Sequence, residues 1–264
     1  MDNVTAKKSL GQNFLHDINI IEKIVTSNNV LKDDLIIEIG PGKGALTKEL
    51  KRFNAQVVCY EIDERMRPIL KEYEDSNLSV IYGDFLERDI KEDLKNKNYN
   101  KLYIIGNLPY YITTPIIEKV INSNIDIDAM TIMVQKEVAD RFTARPKSKQ
   151  YNSLTIYLNY HFDVEKLFDV KNSCFNPVPK VDSAVVRFTK KENKYNVENE
   201  EFFYKLINSS FKFKRKTLKN NLSNYNWILI KNILEECGYS ESVRAEEINI
   251  ETFVKLSNYL CNNK

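Results

Sequence analysis

Leu35-Ile36-Ile37-Glu38-Ile39-Gly40-Pro41-Gly42-Lys43-Gly44 decides the fold. The first five residues form a short apolar run that reads as a buried strand. The glycines that follow let the backbone turn tightly and approach a ligand, and Ala45 to Phe53 continues as helix. A strand, a glycine turn and a helix make the first half of a βαβ unit.

The same rhythm continues in both directions. Upstream, Asp17 caps a helix through about Ser27, with Ile20, Ile21, Ile24 and Val25 at helical spacing. Downstream, Gln56 to Tyr60, Leu78 to Tyr82, Leu102 to Gly106 and Ala129 to Val134 read as strands. Residues 64–74, 87–96, 114–122 and 136–143 read as helices between and after them. Apolar strands alternating with helices predict a parallel sheet covered on both faces. Residues 151–160 fit either helix or strand. Phe162 to Val170 and Asp182 to Thr189 read as later strands, flanking a loop stiffened by Pro177 and Pro179. Lys190 to Tyr195 reads as a charged linker. Beyond Glu198 the pattern is helical at 199–212, 214–222, 227–237 and 250–261. The expected division is therefore 1–191 for an α/β domain and 192–264 for a small all-helical domain.

At 264 residues the chain is long enough for one or two domains with a sizeable core. Lys and Arg number 39 against 37 Asp and Glu, a net charge of +2, so bulk charge announces no nucleic-acid partner. Met1 to Phe14 contains no apolar signal-peptide core, and no apolar run reaches the length of a membrane span. Cys59, Cys174, Cys237 and Cys261 form no C-x-x-C pair, and His16 and His161 are the only histidines. No metal site is expected, and the cysteines read as reduced residues of a cytoplasmic protein.

Function concentrates at the strand ends. Glu61 ends the second strand of the unit, 21 positions after Gly40, where a carboxylate suits the two hydroxyls of a ribose. A dinucleotide site needs its third glycine one place later than Gly44, to admit a pyrophosphate. The spacing here points to a nucleoside cofactor without one, S-adenosylmethionine. Asp84, after the next strand, is placed to accept from an adenine amine. Gly106-Asn107-Leu108-Pro109-Tyr110 closes a further strand. Pro109 holds the backbone extended, so the Asn107 side-chain oxygen and the Leu108 carbonyl offer two acceptors beside the Tyr110 ring. A planar molecule with an exocyclic amine fits that group.

These segments resemble the ribosomal RNA adenine dimethyltransferases of the KsgA type. The resemblance runs through Lys8-Ser9-Leu10-Gly11-Gln12-Asn13-Phe14-Leu15, Glu38 to Gly44, Asn107 to Tyr110 and Val134-Gln135-Lys136-Glu137-Val138-Ala139. Phe175-x-Pro177-x-Pro179-Lys180-Val181-Asp182-Ser183 and Arg215-Lys216-Thr217-Leu218-Lys219-Asn220-Asn221-Leu222 complete it. It implies a Rossmann-like S-adenosylmethionine methyltransferase sheet that adds four methyl groups to two adjacent adenosines near the 3′ end of small-subunit rRNA. It assigns cofactor contacts to Asn13, Leu15, Gly40, Glu61, Asp84 and Asn107, with Gln12, Gly42, Ile62 and Phe85 as their neighbours. The target adenine falls to Asn107, Leu108, Pro109 and Tyr110, with Phe175 expected to close its other face. Tyr111 stands where many members carry asparagine, and Thr113-Thr114 where many carry Ser-Thr, so the fit to the target is expected to differ locally.

A sister group modifies one adenine of large-subunit rRNA. It usually carries isoleucine at the Leu108 position and matches less well around Lys8-Ser9-Leu10-Gly11. A ribosome-assembly factor with secondary catalysis is the alternative of another class, and a nicotinamide oxidoreductase is disfavoured by the glycine spacing. An RNA-facing surface is expected from three basic groups: Lys7 and Lys8; Arg141, Arg145, Lys147 and Lys149; and Lys212, Lys214, Arg215, Lys216 and Lys219. The last lies in a stretch, Phe202 to Leu234, without an acidic residue. The expected partner is the small ribosomal subunit or its rRNA, with the protein acting as a monomer.

Overall fold

The structure, a computed structural model, describes residues 4–191 and 195–263. Its strands are β1 (Phe14–Leu15), β2 (Leu35–Ile39), β3 (Gln56–Glu61), β4 (Leu78–Tyr82), β5 (Leu102–Asn107), β6 (Ala129–Gln135), β7 (Phe162–Val170), β8 (Phe175–Asn176) and β9 (Ser183–Lys190). Seven of them form one sheet in the order β4-β3-β2-β5-β6-β9-β7. Parallel pairing joins β4, β3, β2, β5 and β6, and β9 returns antiparallel to β6. Strand order reverses between β2 and β5, which puts a crevice at their carboxyl ends.

The core explains why the strands read as continuous apolar runs. Every residue of β2 is buried, Glu38 included, because helices cover both faces of a parallel sheet. Asp17 caps the helix Ile18–Val25 by accepting from the Ile20 amide. Gly44 sits at φ 79°, and a Cβ there would meet the Tyr73 ring at 2.5 Å, so the turn into the helix Ala45–Leu50 requires glycine.

The chain divides into two compact units. The first holds residues 1–139 and 165–190, and the second residues 140–164 and 191–264. The second is therefore not one C-terminal segment: it takes in residues 140–164, which the sequence division assigns to the α/β domain. Residues 151–160, ambiguous in sequence, form the helix Ser153–His161, started by a reciprocal cap between Asn152 and Thr155. Tyr151, Ile156 and Tyr160 pack into one core with Phe203, Leu206 and Phe253. The helix expected over 214–222 is only Leu218–Asn221. The Asn221 side chain instead ties the Phe213 backbone on both sides, accepting from its amide at 3.0 Å and donating to its carbonyl at 3.2 Å. The expected linker Lys190 to Tyr195 includes residues 192–194, which lie outside the described residues.

Candidate active site

A cavity of about 350 Å³ opens at the carboxyl ends of β2 to β5, within the first unit. Each strand end contributes to it. Gly40 and Gly42 follow β2, Glu61 ends β3 with Ile62 after it, and Asp84 and Phe85 follow β4. Asn107, Leu108, Pro109 and Tyr110 line it from β5. Gln12, Asn13 and Leu15 line it from the N-terminal segment. All the expected cofactor neighbours thus meet at one wall or another of one cavity.

Glu61 is 3 % exposed and stitches two turns together. Its Oε2 accepts from the Gly42 amide at 2.8 Å and its Oε1 from the Asp63 amide at 2.8 Å. Burial raises its pKa, and these amides oppose the rise. Each oxygen keeps a further lone pair for a ligand hydroxyl. Asp84 Oδ1 accepts from the Leu86 amide at 2.9 Å, which leaves its second oxygen for a ligand donor. Ile62 is half exposed and offers an apolar face, and Phe85 is buried edge-on against Tyr60.

The N-terminal segment is built into the site. β1 pairs antiparallel with β8, Phe14 opposite Asn176 and Leu15 opposite Phe175. Gln12 donates to Asp63 at 2.9 Å and accepts from the Lys7 amide at 2.8 Å. The Arg65 guanidinium beside Asp63 holds that carboxyl down at about 2. Asn107 donates its side-chain amide to the Asn13 carbonyl at 3.1 Å. Among the described residues the Asn107 Oδ1 and the Leu108 carbonyl accept no hydrogen bond. The Tyr110 hydroxyl shares a 2.8 Å hydrogen bond with Ser183, so its ring is held in place at the wall.

Phe175 is the exception among the expected residues. Its ring is 1 % exposed and packs in the core with Leu15 and Val185, because the β1–β8 pairing turns it inward. The neighbouring Asn176 lines the cavity instead. Phe14 and Lys43 also line it, with the Lys43 ammonium 4.9 Å from the Phe14 ring centre. Neither was expected. The signal for Phe14 lay in its nearness in sequence to Asn13 and Leu15.

The residues fit a nucleoside cofactor. A Cβ added to Gly40 would meet nothing within 4 Å, so the backbone there faces open space beside Glu61. The acceptors of Glu61, Asp84 and Asn107 lie at successive strand ends, with apolar side chains between them.

In the second unit, the Lys214 ammonium donates to the Lys149 carbonyl at 2.7 Å, bringing two of the expected basic groups together. Lys147 donates its backbone amide to the Glu246 carbonyl at 2.7 Å. Arg145 lies in the same loop, and Arg141 ends the helix Lys136–Phe142. Arg215 and Lys216 sit in the turn before Leu218. Lys219 is partly neutralised by Glu241 at 4.0 Å, a carboxylate from outside the acid-free stretch. Lys7 and Lys8 belong to the first unit.

The family model for ribosomal RNA adenine dimethylase matches residues 3–262. Relatives named ribosomal RNA small subunit methyltransferase A include one from Oceanobacillus iheyensis, 41 % identical over 96 % of this chain and 90 % of its own. One from Listeria monocytogenes is 44 % identical over 96 % and 90 %. Among solved structures, a dimethyladenosine transferase from Plasmodium falciparum superposes with a TM-score of 0.75 at 28 % identity, covering 92 % of this chain and 95 % of that one. The 23S rRNA methyltransferase ErmE superposes with a TM-score of 0.73 at 26 % identity, over 94 % and 100 %.

Proposed function

The chain belongs to the ribosomal RNA adenine dimethylase family, and on that basis we propose that it dimethylates the exocyclic N6 of two adjacent adenosines near the 3′ end of small-subunit rRNA. The similarity to ErmE shows that the architecture serves large-subunit targets too. The choice of small subunit rests on the relatives at 41–44 % identity that carry that name.

S-adenosylmethionine, the family's cofactor, supplies a methyl group on a sulfonium that leaves as a thioether. Glu61 would hold its ribose, Asp84 its adenine amine, and Ile62 and Phe85 the faces of that ring, with Gly40 allowing close approach. Gln12, Asn13 and Leu15 would cover it from the N-terminal side.

The observation that carries the catalytic reading is a pair of acceptors on the cavity wall, Asn107 Oδ1 and the Leu108 carbonyl, that take no hydrogen bond among the described residues. An adenine amine is a weak nucleophile because its lone pair is delocalised into the ring. Two acceptors that take its hydrogens favour a pyramidal nitrogen with the lone pair free for the methyl carbon. Placement and electrostatics then supply the acceleration, and no strong base is needed. Pro109 keeps the Leu108 carbonyl in position, and the Tyr110 ring, pinned through Ser183, supplies one face for a base drawn out of its stack. Phe175 is buried in the core and takes no part in the proposed contact.

The basic residues of both units would bind rRNA phosphates. The proposed unit of activity is a monomer. Ribosome maturation makes the cytoplasm its place of work. No helix among the described residues is long and apolar enough to cross a membrane.

The test is chemical. Small subunits lacking the modification and, in parallel, large subunits are incubated with the protein and S-adenosylmethionine, and the digested rRNA is analysed by mass spectrometry. N6,N6-dimethyladenosine at two adjacent 3′-end positions is expected. Product confined to large-subunit rRNA, or none, overturns the proposal.

A further inference from the structure

Tyr111 follows the cavity aromatic Tyr110 directly, yet the two side chains are treated differently. Tyr110 lines the cavity and its hydroxyl is fixed by Ser183. Tyr111 is 61 % exposed, and among the described residues its hydroxyl has no hydrogen-bond partner. The ring is nevertheless positioned. A Cβ added to Gly11 would lie 3.1 Å from Tyr111 Cε1 and 3.3 Å from Cδ1, so one edge of the ring rests on the Gly11 main chain. With 61 % of the residue exposed, much of the ring stays open to solvent.

Gly11 also closes the turn Lys8–Leu10, its amide donating to the Lys8 carbonyl at 3.0 Å. Lys7 and Lys8, both outside any ion pair among the described residues, therefore lead into the support of this ring. An open aromatic face, one residue from a pocket for a flat base and on a turn carrying two ammonium groups, has the chemistry of a single-strand RNA contact: stacking from the ring, phosphate attraction from the lysines.

Resting on the proposed rRNA substrate, we infer that Tyr111 stacks on the nucleobase next to the target adenine, outside the cavity, and so sets preference for the local RNA conformation. The residue touches substrate but not the reacting atoms. It gives a role to a large aromatic exposed beside the site, and a side chain at position 11 would crowd the ring.

The experiment measures dissociation constants by fluorescence anisotropy. The ligands are short single-stranded RNAs with one central adenosine, in which the neighbour on either side is a normal nucleotide or an abasic one. The proteins are wild type, Tyr111→Ala and Tyr111→Phe, each checked for an unchanged melting temperature. Tyr111→Ala is expected to weaken binding of the intact RNA by about 5- to 150-fold. It should change binding of the RNA that is abasic at the contacted neighbour by less than about twofold, because the partner is already gone. Tyr111→Phe should bind as wild type. Equal weakening with both RNAs, no dependence on the neighbouring base, or loss in Tyr111→Phe would overturn the assignment. Dimethyladenosine formation by the wild type is read separately on small subunits. If that product is absent while the base-dependent coupling is present, the proposed reaction fails and Tyr111 stands. Product without coupling removes Tyr111 alone.

Discussion

The side-chain amide of Asn107 donates to the backbone carbonyl of Asn13 across 3.1 Å. A carbonyl only accepts, so this contact fixes which end of the Asn107 amide points away from it. The oxygen is left for the cavity. Asn13 itself donates to the Gly11 carbonyl at 3.2 Å, and β1 is anchored on β8. The N-terminal segment therefore orients a group on β5 that the proposed mechanism depends on.

Gly106 tests how tightly the β5 end is built. A Cβ there would stand 2.9 Å from the Ile39 carbonyl oxygen and 3.0 Å from Leu108 Cδ2. The first neighbour is backbone of the adjacent strand and cannot rotate away. Gly106→Ala should cost roughly 1–3 kcal/mol in stability, read by denaturant unfolding, and should slow methyl transfer by displacing Asn107. Wild-type stability in this variant would mean that the strands part more easily than the packing indicates.

Glu61 joins the glycine turn to the end of β3 through two amide donors. In Glu61→Gln one of those amides would face an NH2 group, and the charge that strengthens both bonds is lost. Hydrogen bonds to a charged group contribute about 1.5–3 kcal/mol, so S-adenosylmethionine affinity should fall about 10- to 150-fold by calorimetry. Turnover at saturating cofactor should change far less. Unchanged affinity would remove Glu61 from the cofactor site.

Glu38 lies beneath the same turn, 1 % exposed. Burial pushes its pKa up to about 7, against hydrogen bonds from Thr47 and Cys59, with Glu61 adding to the rise. The native state then holds a proton that the unfolded chain releases near 4.5, so the native state binds more protons between pH 4.5 and 7. Stability from this group is complete below 4.5 and is lost as pH rises through about 7. The span corresponds to at most about 3 kcal/mol. Glu38→Gln, neutral at every pH, should flatten the decline in melting temperature between pH 4.5 and 7. Parallel curves for the two proteins would contradict a protonated Glu38.

The basic turn of the second unit predicts a graded salt response. Lys212 and Lys216 lie 5.6 and 4.5 Å from the Phe213 ring centre, with no carboxylate partner among the described residues. Lys219 has Glu241. Replacing Lys212 or Lys216 by Ala should make the slope of log affinity for rRNA against log salt shallower by about 0.7 per contact. Lys219→Ala should change it less. Identical slopes in all three variants would argue against phosphate contacts here.

The sheet and the cavity were legible because their signals are local. A glycine turn, an acid at the next strand end and an Asn-x-Pro-aromatic group each declare themselves within a few residues, and the parallel order brings their strand ends together. Phe175 was not legible in this way. Its neighbours came from the motif, but its inward direction is set by pairing with Leu15, a contact between distant segments. The grouping of 140–164 with the C-terminal helices is likewise tertiary, although the Asn152 to Thr155 cap could have resolved the helix that follows. Glu241 approaching Lys219 and Lys231 shows the same limit, since an acid-free stretch of sequence is not an acid-free surface.

The most direct test of the account is Asn107→Ala, assayed in single turnover on unmodified small subunits with S-adenosylmethionine affinity measured alongside. The acceptor role predicts a fall in transfer rate of about 10²–10³-fold, by analogy with removal of one polar group from a preorganised site, with cofactor affinity changed only a few-fold. Equal losses in rate and affinity would mean that Asn107 holds the cofactor rather than the adenine amine, and would contradict the mechanism.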